Sequence, residues 1–311
     1  MKSFLVTGGA GFIGSHLCEL LSENNYQIVI IDDFSTGLKS NIDFIKNITL
    51  INNKVQNIQV NELPQIDGIF HLAAQASVPV SIDDFYESSA NNLLSSIQIF
   101  DWAKKLSVPV IYASSSAIYG NLSKGDDRKE DYEILSPYAQ DKLTLEHYAK
   151  MCWDIYKIPS IGWRFFNVYG PRQDPKNPYS GVISIFIDRL LQNKPVTVNG
   201  GYQTRDFIYV KDIVNTLLCS MEFISRNKCC DFINLGTGKS ITIDNLLEII
   251  ASILKVKPNK YVKKLPDGDP EISSGTYDKI HQILGVDIST FQTLDEGLFE
   301  TIENIRKDLL S

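Results

Sequence analysis

The stretch Phe4-Leu-Val-Thr-Gly-Gly-Ala-Gly-Phe-Ile-Gly-Ser15 decides the fold of this chain. Its apolar beginning leads into a loop with a glycine at every third position, and an apolar-periodic segment, Phe12 to Leu21, follows at once. These features predict a strand, a tight turn and a helix. In such a turn the backbone comes close to a pyrophosphate, and the free N–H groups at the start of the helix attract the anion. The stretch therefore predicts a dinucleotide-binding loop.

A second strand, predicted over Gln27 to Ile31, ends in Asp32-Asp33. The two carboxylates follow the glycine turn by about 20 residues, where an acidic side chain accepts hydrogen bonds from the ribose hydroxyls and repels a 2'-phosphate. A glycine turn by itself often serves only the packing of a helix on a strand, so the second strand carries the argument. The combination predicts NAD as the cofactor in preference to NADP.

The composition excludes several classes of protein. Of the 311 residues, 43% are hydrophobic and 22% are charged, and the net charge of −7 does not suit a nucleic-acid-binding protein. Apolar runs stay well short of the roughly 18 residues that a membrane span needs. Because Met1-Lys2 leads directly into the first strand, no room is left for a signal peptide, and a cytoplasmic location is expected.

The cysteines and histidines form no pattern that binds a metal. Five cysteines, with one adjacent pair among them, include no Cys-x-x-Cys spacing, and the four histidines are scattered. An odd number of cysteines suits reduced thiols better than a disulfide framework. We expect neither disulfides nor a metal site.

Strand-like and helix-like segments alternate along the chain, which predicts an α/β fold with a doubly wound parallel sheet of the Rossmann type. A stretch rich in Pro, Asn and Gly, which ends at Ser180, marks the beginning of a second, smaller mixed α/β lobe. We expect a dinucleotide-binding domain over residues 1–167, to which part of 205–235 returns, and the second lobe over 168–311.

Two predicted strands end in small side chains that can line a ligand crevice. The segment Ile66 to Ala74 ends in Leu72-Ala-Ala, and the strand Pro109 to Ala113 leads into Ser114-Ser-Ser116. Because the carboxyl ends of parallel strands form the crevice of an α/β sheet, the alanines can let a cofactor approach. The serines have two interpretations that the sequence leaves open, a functional hydroxyl or ordinary turn and capping chemistry.

Ser136-Pro137 predicts the N-cap and the first turn of a helix that carries Tyr138 and Lys142. Residues four apart share one face of a helix, so the ammonium would stabilise a phenolate and lower the pKa of the tyrosine. A solvated surface pair is the alternative, because this spacing is common. The dinucleotide turn and the serine-bearing strand favour a catalytic pair.

The chain holds four segments that are informative together: Thr7-Gly-Gly-Ala-Gly-Phe-Ile-Gly14, Ala113-Ser-Ser-Ser-Ala-Ile-Tyr-Gly120, Tyr138-x-x-x-Lys142 and Arg164-Phe-Phe-Asn167. In them the chain resembles the extended short-chain dehydrogenase/reductases over nearly its whole length, and within that family it is most similar to the UDP-hexose 4-epimerases. The resemblance implies NAD-dependent epimerisation at C4 of a UDP-sugar through a transient 4-keto sugar. It also implies a UDP-sugar-binding role for the second lobe, and a homodimer built on the apolar helices Asp83 to Leu106 and Tyr138 to Lys157.

The resemblance implies the site residues as well. Ser115, Tyr138 and Lys142 would be catalytic, with Ser115 as the hydroxyl four residues before Tyr119. The implied cofactor contacts are Gly8, Gly11, Phe12, Ile13, Asp32, Asp33, Leu72, Ala73, Ala74, Asn92, Tyr138 and Lys142. The implied substrate contacts are Ser77, Ser115, Ser116, Asn167, Val182, Thr197, Arg205 and Ser273, and the planar fork of the arginine suits a diphosphate.

The chain departs from the family pattern at two binding positions. Lys54 stands where an Asp usually contacts the adenine ring. The segment Leu265-Pro-Asp-Gly268-Asp269 lacks the arginine that commonly touches the diphosphate, and Lys263 or Lys264 would have to replace it.

Ser273 is the position implied to set substrate size. Aligned on Gly268-Asp269, it replaces the bulky aromatic that lies against the C2 substituent of the sugar, so an N-acetyl group would fit. UDP-N-acetylglucosamine and UDP-N-acetylgalactosamine are therefore the expected substrates, with the unacetylated pair also accepted. A slip of one residue in this alignment would bring Ile272 or Ser274 into the position instead.

Other functions are compatible with the same resemblance. The related 4,6-dehydratases and decarboxylases carry a Glu two residues before the Tyr-Gly, where this chain has Ala117, so a proton donor for elimination is not evident. A reductase that releases NADPH is disfavoured by Asp32-Asp33. A non-catalytic NAD-binding protein could share the fold, but it would need a separate explanation for Ser115, Tyr138 and Lys142.

Overall fold

The computed structural model describes residues 1–177, 180–266 and 268–310. The strands are β1 (Ser3–Thr7), β2 (Gln27–Asp32), β3 (Ile48–Asn52), β4 (Gly68–His71), β5 (Val110–Ser115), β6 (Ser160–Phe165), β7 (Asn167–Tyr169), β8 (Val196–Asn199), β9 (Thr204–Tyr209), β10 (Cys230–Leu235), β11 (Ser240–Thr242) and β12 (Lys260–Lys263). The α-helices are α1 (Phe12–Glu23), α2 (Val78–Asp83), α3 (Phe85–Leu106), α4 (Pro137–Tyr156), α5 (Val182–Leu191), α6 (Val210–Arg226), α7 (Ile243–Leu254), α8 (Asp278–Leu284) and α9 (Leu294–Leu310).

Seven strands form the main sheet in the order β3-β2-β1-β4-β5-β6-β10. The pairs from β3 to β5 run parallel, and the order reverses direction at β1, as it does in Rossmann folds. The inner strands β1, β2, β4, β5 and β6 are almost wholly buried, because helices cover a parallel sheet on both faces, whereas the edge strand β3 is largely exposed. The predicted doubly wound α/β fold is confirmed.

The glycine turn between β1 and α1 has the geometry that its sequence demands. Gly8 has φ +70°, and a Cβ placed there would lie 2.8 Å from the main-chain nitrogen of Ala73. A Cβ on Gly14 would collide with the carbonyl oxygen of Gly8, so the helix can begin this close to the strand only with glycine. The turn therefore sets α1 directly beyond the carboxyl end of β1.

The chain divides into two compact units. Unit 1 comprises residues 1–118, 136–164 and 213–233, and unit 2 comprises 119–135, 165–212 and 234–311. The division near 164 lies close to the expected boundary at 167, and the returning segment is 213–233. The segment Tyr119–Leu135, which was expected in the first domain, belongs to unit 2, where Gly125 exchanges main-chain hydrogen bonds with Ser274 and Thr276.

Unit 2 holds two small sheets that the sequence patterns only partly revealed. Strand β9 lies between β7 and β11 in one sheet, and β8 pairs with β12 in the other. The strands β7, β11 and β12 were not predicted, because each has only three or four residues. The helices α5, α7 and α9 pack against one another and bury their apolar faces in this unit.

The described residues contain no membrane-spanning helix, no metal-binding cluster and no disulfide bond. None of the helices in these ranges combines the length and apolarity that crossing a bilayer requires. No group of three or more His, Cys, Asp or Glu side chains in the same ranges is arranged to hold a metal ion. The cysteines at 18, 152, 219, 229 and 230 form no disulfide bond.

Candidate active site

A cleft of about 270 Å³ opens in unit 1 at the carboxyl ends of the central strands. The structure brings together there nine residues that the sequence analysis assigned to the cofactor: Gly8, Gly11, Phe12, Ile13, Asp32, Asp33, Leu72, Ala73 and Ala74. They come from three separate strand-to-helix connections, which meet because β1, β2 and β4 are neighbours in the sheet. The cleft therefore has the position at which α/β sheets bind dinucleotides.

The floor of the cleft is the start of α1. Gly11 is its N-cap and no side chain caps the helix, so the first-turn N–H groups of Phe12 and Ile13 remain available to an anion. At the neighbouring strand, Asp32 accepts hydrogen bonds from the N–H groups of Ala10 and Phe34, at 2.8 and 2.9 Å. Burial raises the pKa of this carboxyl, although both hydrogen bonds oppose the effect.

Further residues of the lining were not assigned to the cofactor from the sequence, although Lys54 among them was noted as a departure from the family pattern. They are Ser35 and Thr36 after β2, Asn53, Lys54, Val55 and Gln56 after β3, and Asn91 and Ser95 on α3. Only their position in the sequence could have indicated them, because segments that follow the carboxyl ends of parallel strands meet at one edge of the sheet. Lys54, the departure from the family pattern, thus lies on the wall of the cleft next to neutral polar side chains.

These features fit NAD. A positive-φ glycine turn, an uncapped helix start and a pair of acidic residues at the end of β2 match the needs of a pyrophosphate and a ribose without a 2'-phosphate. The small side chains of Ala73, Ala74 and Ala113 leave room along the opposite wall.

Tyr138 and Ser115 form a hydrogen-bonded pair in unit 1. Ser115 ends β5, and Tyr138 is the second residue of α4, whose N-cap is Ser136 as predicted. The N–H of Tyr138 donates to Ser81 Oγ on α2 at 3.1 Å, which fixes the first turn of the helix. The hydroxyl of Ser115 also accepts from the N–H of Ala117 at 3.1 Å, so its own proton is directed elsewhere.

The pKa of Tyr138 corrects an expectation from the sequence. Burial raises it, the hydrogen bond from Ser115 opposes this, and the charge of Asp141 raises it further. The expected lowering by Lys142 is wrong for the chain alone, because the ammonium lies over the phenol ring, 5.6 Å from its centroid, and donates to the Ala113 carbonyl oxygen at 2.7 Å. Burial lowers the pKa of Lys142 to about 8.

A directed chain of hydrogen bonds runs behind the cleft. Ser96 Oγ donates to the Asn92 carbonyl oxygen at 2.6 Å, so it must accept from His71 Nε2, 3.2 Å away. The other ring nitrogen, Nδ1, is then the acceptor for Thr7 Oγ1 at 2.8 Å, and Thr7 Oγ1 accepts from the Ala73 N–H at 3.2 Å. Burial, with a smaller effect of Lys142, lowers the pKa of His71 to about 3 and keeps the ring neutral.

Six predicted site residues of unit 1 lie outside the lining of the cleft: Ser115, Tyr138 and Lys142, described above, and Asn92, Ser77 and Ser116. Asn92 uses its carboxamide to bind Gln75 and Asp141, and its neighbour Asn91 faces the cleft instead. Ser77 is the N-cap of α2 and accepts from the Val80 N–H. Ser116 opens the short 3₁₀ turn that follows Ser115.

The predicted substrate residues of unit 2 surround strand β9. The guanidinium of Arg205 donates to Asp269 Oδ1 and to the carbonyl oxygen of Thr204. Asn167, on the neighbouring strand β7, donates to the carbonyl oxygen of Asp206 at 3.3 Å. Arg205 is buried, and Asp269 is half-exposed.

The remaining predicted substrate residues are less closely grouped. The main chain of Ser273 is held beside β11, because its carbonyl oxygen accepts from Ser240 Oγ at 2.7 Å. Val182 is the first residue of α5, and Thr197 lies on the exposed face of β8. Strand pairing and hydrogen bonds thus place Arg205, Asn167 and Ser273 around β9 and β11.

Known proteins similar to this chain share its fold and much of its sequence. A Methanocaldococcus jannaschii protein provisionally named UDP-glucose 4-epimerase is 37% identical over 253 residues, which cover 79% of this chain and 80% of that protein. UDP-glucuronic acid decarboxylase 1 of Danio rerio is 30% identical over 323 residues, covering 99% of this chain and 73% of the relative.

Solved structures extend the comparison to the whole chain. The UDP-N-acetylglucosamine 4-epimerase of Methanobrevibacter ruminantium, in complex with UDP-N-acetylmuramic acid, has 33% identity and a TM-score of 0.90, with 99% of each chain covered. The UDP-glucose 4-epimerase of Thermotoga maritima, with UDP-glucose, has 32% identity and a TM-score of 0.92, covering 99% and 100%. Residues 4–236 match the NAD dependent epimerase/dehydratase family, and the chain belongs to that family.

Proposed function

We propose that this protein interconverts UDP-N-acetylglucosamine and UDP-N-acetylgalactosamine by NAD-dependent epimerisation at C4, and that it also accepts UDP-glucose and UDP-galactose. The observation that carries the proposal is the hydrogen-bonded pair of Ser115 and Tyr138, with Lys142 held against Ala113 in the wall of the cofactor cleft. The similar UDP-sugar 4-epimerases support the reaction class.

In the proposed mechanism the chain supplies acid-base chemistry. Bound NAD would accept and return a hydride at C4 of the sugar. Tyr138 takes the proton of the 4-hydroxyl, directly or through Ser115, and gives it back when the hydroxyl is restored. Lys142, whose ammonium lies over the phenol ring and donates to the Ala113 carbonyl oxygen, would contact the bound cofactor beside Tyr138. Because the configuration at C4 inverts, the sugar must present both faces while the nucleotide stays bound.

The similarity to a UDP-glucuronic acid decarboxylase raises decarboxylation or elimination as an alternative reaction. Loss of CO₂ or of a 6-hydroxyl needs a further acid or base near the sugar, and the resemblance assigns that group to the position of Ala117. In the structure Ala117 lies in the 3₁₀ turn after Ser115, and its methyl group has no proton to give. We therefore assign epimerisation rather than elimination.

The acetylated substrates are proposed from the size of Ser273. A serine leaves space that a tyrosine would fill, and an acetamido group that enters needs a hydrogen-bond partner to avoid burial unsatisfied. The Ser273 hydroxyl is one such partner, on a main chain that Ser240 holds in place. The similarity to a UDP-N-acetylglucosamine 4-epimerase is consistent with this choice.

The proposal includes a homodimer in the cytoplasm. The helices α3 and α4 expose seven large apolar or aromatic side chains, Phe85, Tyr86, Leu94, Ile97, Met151, Ile155 and Tyr156. A second copy of the same two helices would cover this surface around a two-fold axis. Light scattering should give about twice the 35.0 kDa chain mass, and a clean monomer at micromolar concentration would contradict it. Cysteines that form no disulfide bond suit a reducing compartment.

One assay tests the reaction and the cofactor together. Purified protein is incubated separately with UDP-N-acetylgalactosamine, UDP-galactose and UDP-glucuronic acid, and its bound nucleotide is released by acid and identified. We expect NAD(H), and C4 epimers with the acetylated pair turned over at least as efficiently as the unacetylated pair. Mainly NADP, release of CO₂, or activity on UDP-glucose alone would contradict the proposal.

A further inference from the structure

A buried polar contact joins α3 to α4 beside the cofactor cleft. The Asn92 side chain on α3 and the Asp141 side chain on α4 belong to residues that are 4% and 3% exposed. Asn92 Oδ1 accepts from the Gln75 N–H at 2.8 Å, and Nδ2 donates to the Gln75 carbonyl oxygen and to Asp141 Oδ2, both at 3.2 Å. One carboxamide thus ties together the loop after β4, helix α3 and helix α4.

Each end of this contact adjoins the candidate site. Gln75 lies between Ala74 and Ala76, which both line the cleft. Asp141 lies in the turn of α4 that carries Tyr138 and Lys142. A change at Asn92 would therefore reach the wall of the cleft and the acid-base pair at once.

Burying these polar side chains costs free energy unless each of them is hydrogen-bonded. Both side chains are desolvated. Removing Asn92 takes away the partner of the Gln75 N–H, and removing Asp141 takes away one of the two acceptors of Asn92 Nδ2. Two helices that needed only to pack could use apolar residues of the same size at these positions. Polar groups placed here set one relative position of the loop and α4.

We propose that Asn92 and Asp141 are positioning residues, which lock the loop Ala74–Ala76 to the turn of α4 bearing Tyr138 and Lys142 and so hold the bound cofactor and the acid-base pair in register. The part of this inference that concerns catalysis rests on the proposed epimerase reaction. The part that concerns the cofactor does not depend on which sugar is the substrate.

Asp141 has a second effect, through its charge. Its carboxylate adds to the burial that raises the pKa of Tyr138 and opposes the burial that lowers the pKa of Lys142. Burial raises the pKa of Asp141 itself, and the charge of Lys142 opposes this. From the packed elements, α3 presents the neutral groups Asn92 and Ser89, β5 presents Ser115, and β4 presents His71, which stays uncharged. Removing the carboxylate should therefore let Tyr138 ionise at lower pH.

Four single variants test the proposal on the NAD-loaded enzyme. Asn92→Leu and Asp141→Leu remove the contact, Asp141→Asn keeps an acceptor for Asn92 but removes the charge, and Asp154→Asn removes an exposed carboxylate from the far end of the same helix as a control. The measurements are the rate at which bound NAD is lost on dilution, the pH dependence of kcat, and Tm. Asn92→Ser replaces the leucine variant if that one does not fold.

In both leucine variants we expect the rate of NAD loss to rise about 10-fold to 100-fold and kcat to fall by a similar factor. This range corresponds to the free energy of leaving a buried polar group unsatisfied. Asp141→Asn should retain NAD like the wild type and shift the pH profile of kcat toward lower pH. The control should match the wild type in all three measurements.

A contact that serves only stability gives a different result. Lower Tm in the leucine variants, with unchanged NAD loss and an unchanged pH profile in Asp141→Asn, would overturn the inference. A wild type that turns over no UDP-sugar would refute the proposed function instead. The comparison of NAD loss would then still decide whether Asn92 and Asp141 position the cofactor loop.

Discussion

Two arginine ion pairs, one in each unit, differ in how far they are buried from solvent. In unit 1, Arg164 donates twice to Glu146, with a shortest distance of 2.6 Å, and both side chains are 1% exposed. In unit 2, Arg205 donates once to Asp269, and the side chains are 10% and 39% exposed. The first pair is sealed from solvent and the second can exchange its partner.

The difference fits a permanent scaffold in unit 1 and the proposed diphosphate-binding role of Arg205 in unit 2. Glu146 also accepts from Ser114 at 2.5 Å, so the pair joins α4 to β5 and β6 behind the catalytic residues. A pair that is buried this completely cannot open without leaving an uncompensated charge. Arg205 keeps Asp269 as a counterion that a diphosphate could replace, which suits a residue that must bind and release its ligand.

Tyr138→Phe should give the largest effect and tests whether unit 1 carries the chemistry. Loss of the phenol hydroxyl removes the acid-base group, so kcat should fall about 10²-fold to 10⁴-fold while bound NAD and the KM for the UDP-sugar change little. Steady-state kinetics and the nucleotide content of the purified variant measure these quantities. Turnover close to that of the wild type would show that another group moves the proton.

Arg164→Leu tests whether the sealed pair is structural. The substitution leaves Glu146 charged and buried, and the free energy of unfolding should fall by about 3–5 kcal/mol. Urea denaturation measures the loss. The double variant Arg164→Leu with Glu146→Leu is the control, and it should recover part of the stability because no charge remains buried. A single variant as stable as the wild type would remove the contrast between the two pairs.

Ser273→Tyr asks whether unit 2 sets substrate size. The aromatic ring should occupy the space of the N-acetyl group, so activity on UDP-N-acetylgalactosamine should fall at least about 100-fold, with activity on UDP-galactose largely kept. Ser274→Tyr is the matched control for the register of the segment. If Ser274→Tyr has the selective effect instead, the alignment has slipped by one residue. Equal loss on both substrates in each variant would show that neither serine sets the size.

Arg205→Lys has the smallest expected effect, and it tests whether the more exposed ion pair of unit 2 belongs to a diphosphate site. The lysine keeps the charge but loses the planar fork, so the KM for UDP-sugars should rise about tenfold with little change in kcat. Arg189→Lys, in a helix of the same unit, is the control. An unchanged KM in Arg205→Lys would mean that the diphosphate is bound elsewhere.

The fold was accessible from the sequence because its signals are local. Phe4 to Ser15 fixes a strand, a turn and a helix within twelve residues, and the alternation of segments then leaves few topologies. Ser136-Pro137 located the start of α4 for the same reason. Tyr119–Leu135 was assigned to the wrong unit because its pairing with residues near Gly275 spans about 150 positions, which no local pattern encodes.

The site was only partly accessible, for two physical reasons. Adjacent helical residues point about 100° apart, so the choice between Asn91 and Asn92 depends on the rotation of α3, which tertiary packing sets. The pKa of Tyr138 depends on burial and on where Lys142 places its ammonium, and a spacing of four residues determines neither. Spacing predicted which residues would be neighbours but not their electrostatics.

The neutral ring of His71 makes unfolding a proton-uptake reaction in mild acid. Its pKa is about 3 in the folded protein and near 6.5 in an unfolded chain, so between these values only the unfolded state binds the extra proton. The contribution of this residue to stability is complete above pH 6.5 and declines steadily as the pH falls toward 3. At pH 5, unfolding of unit 1 should therefore take up close to one proton at this imidazole. Acidification should shift the equilibrium toward the unfolded state.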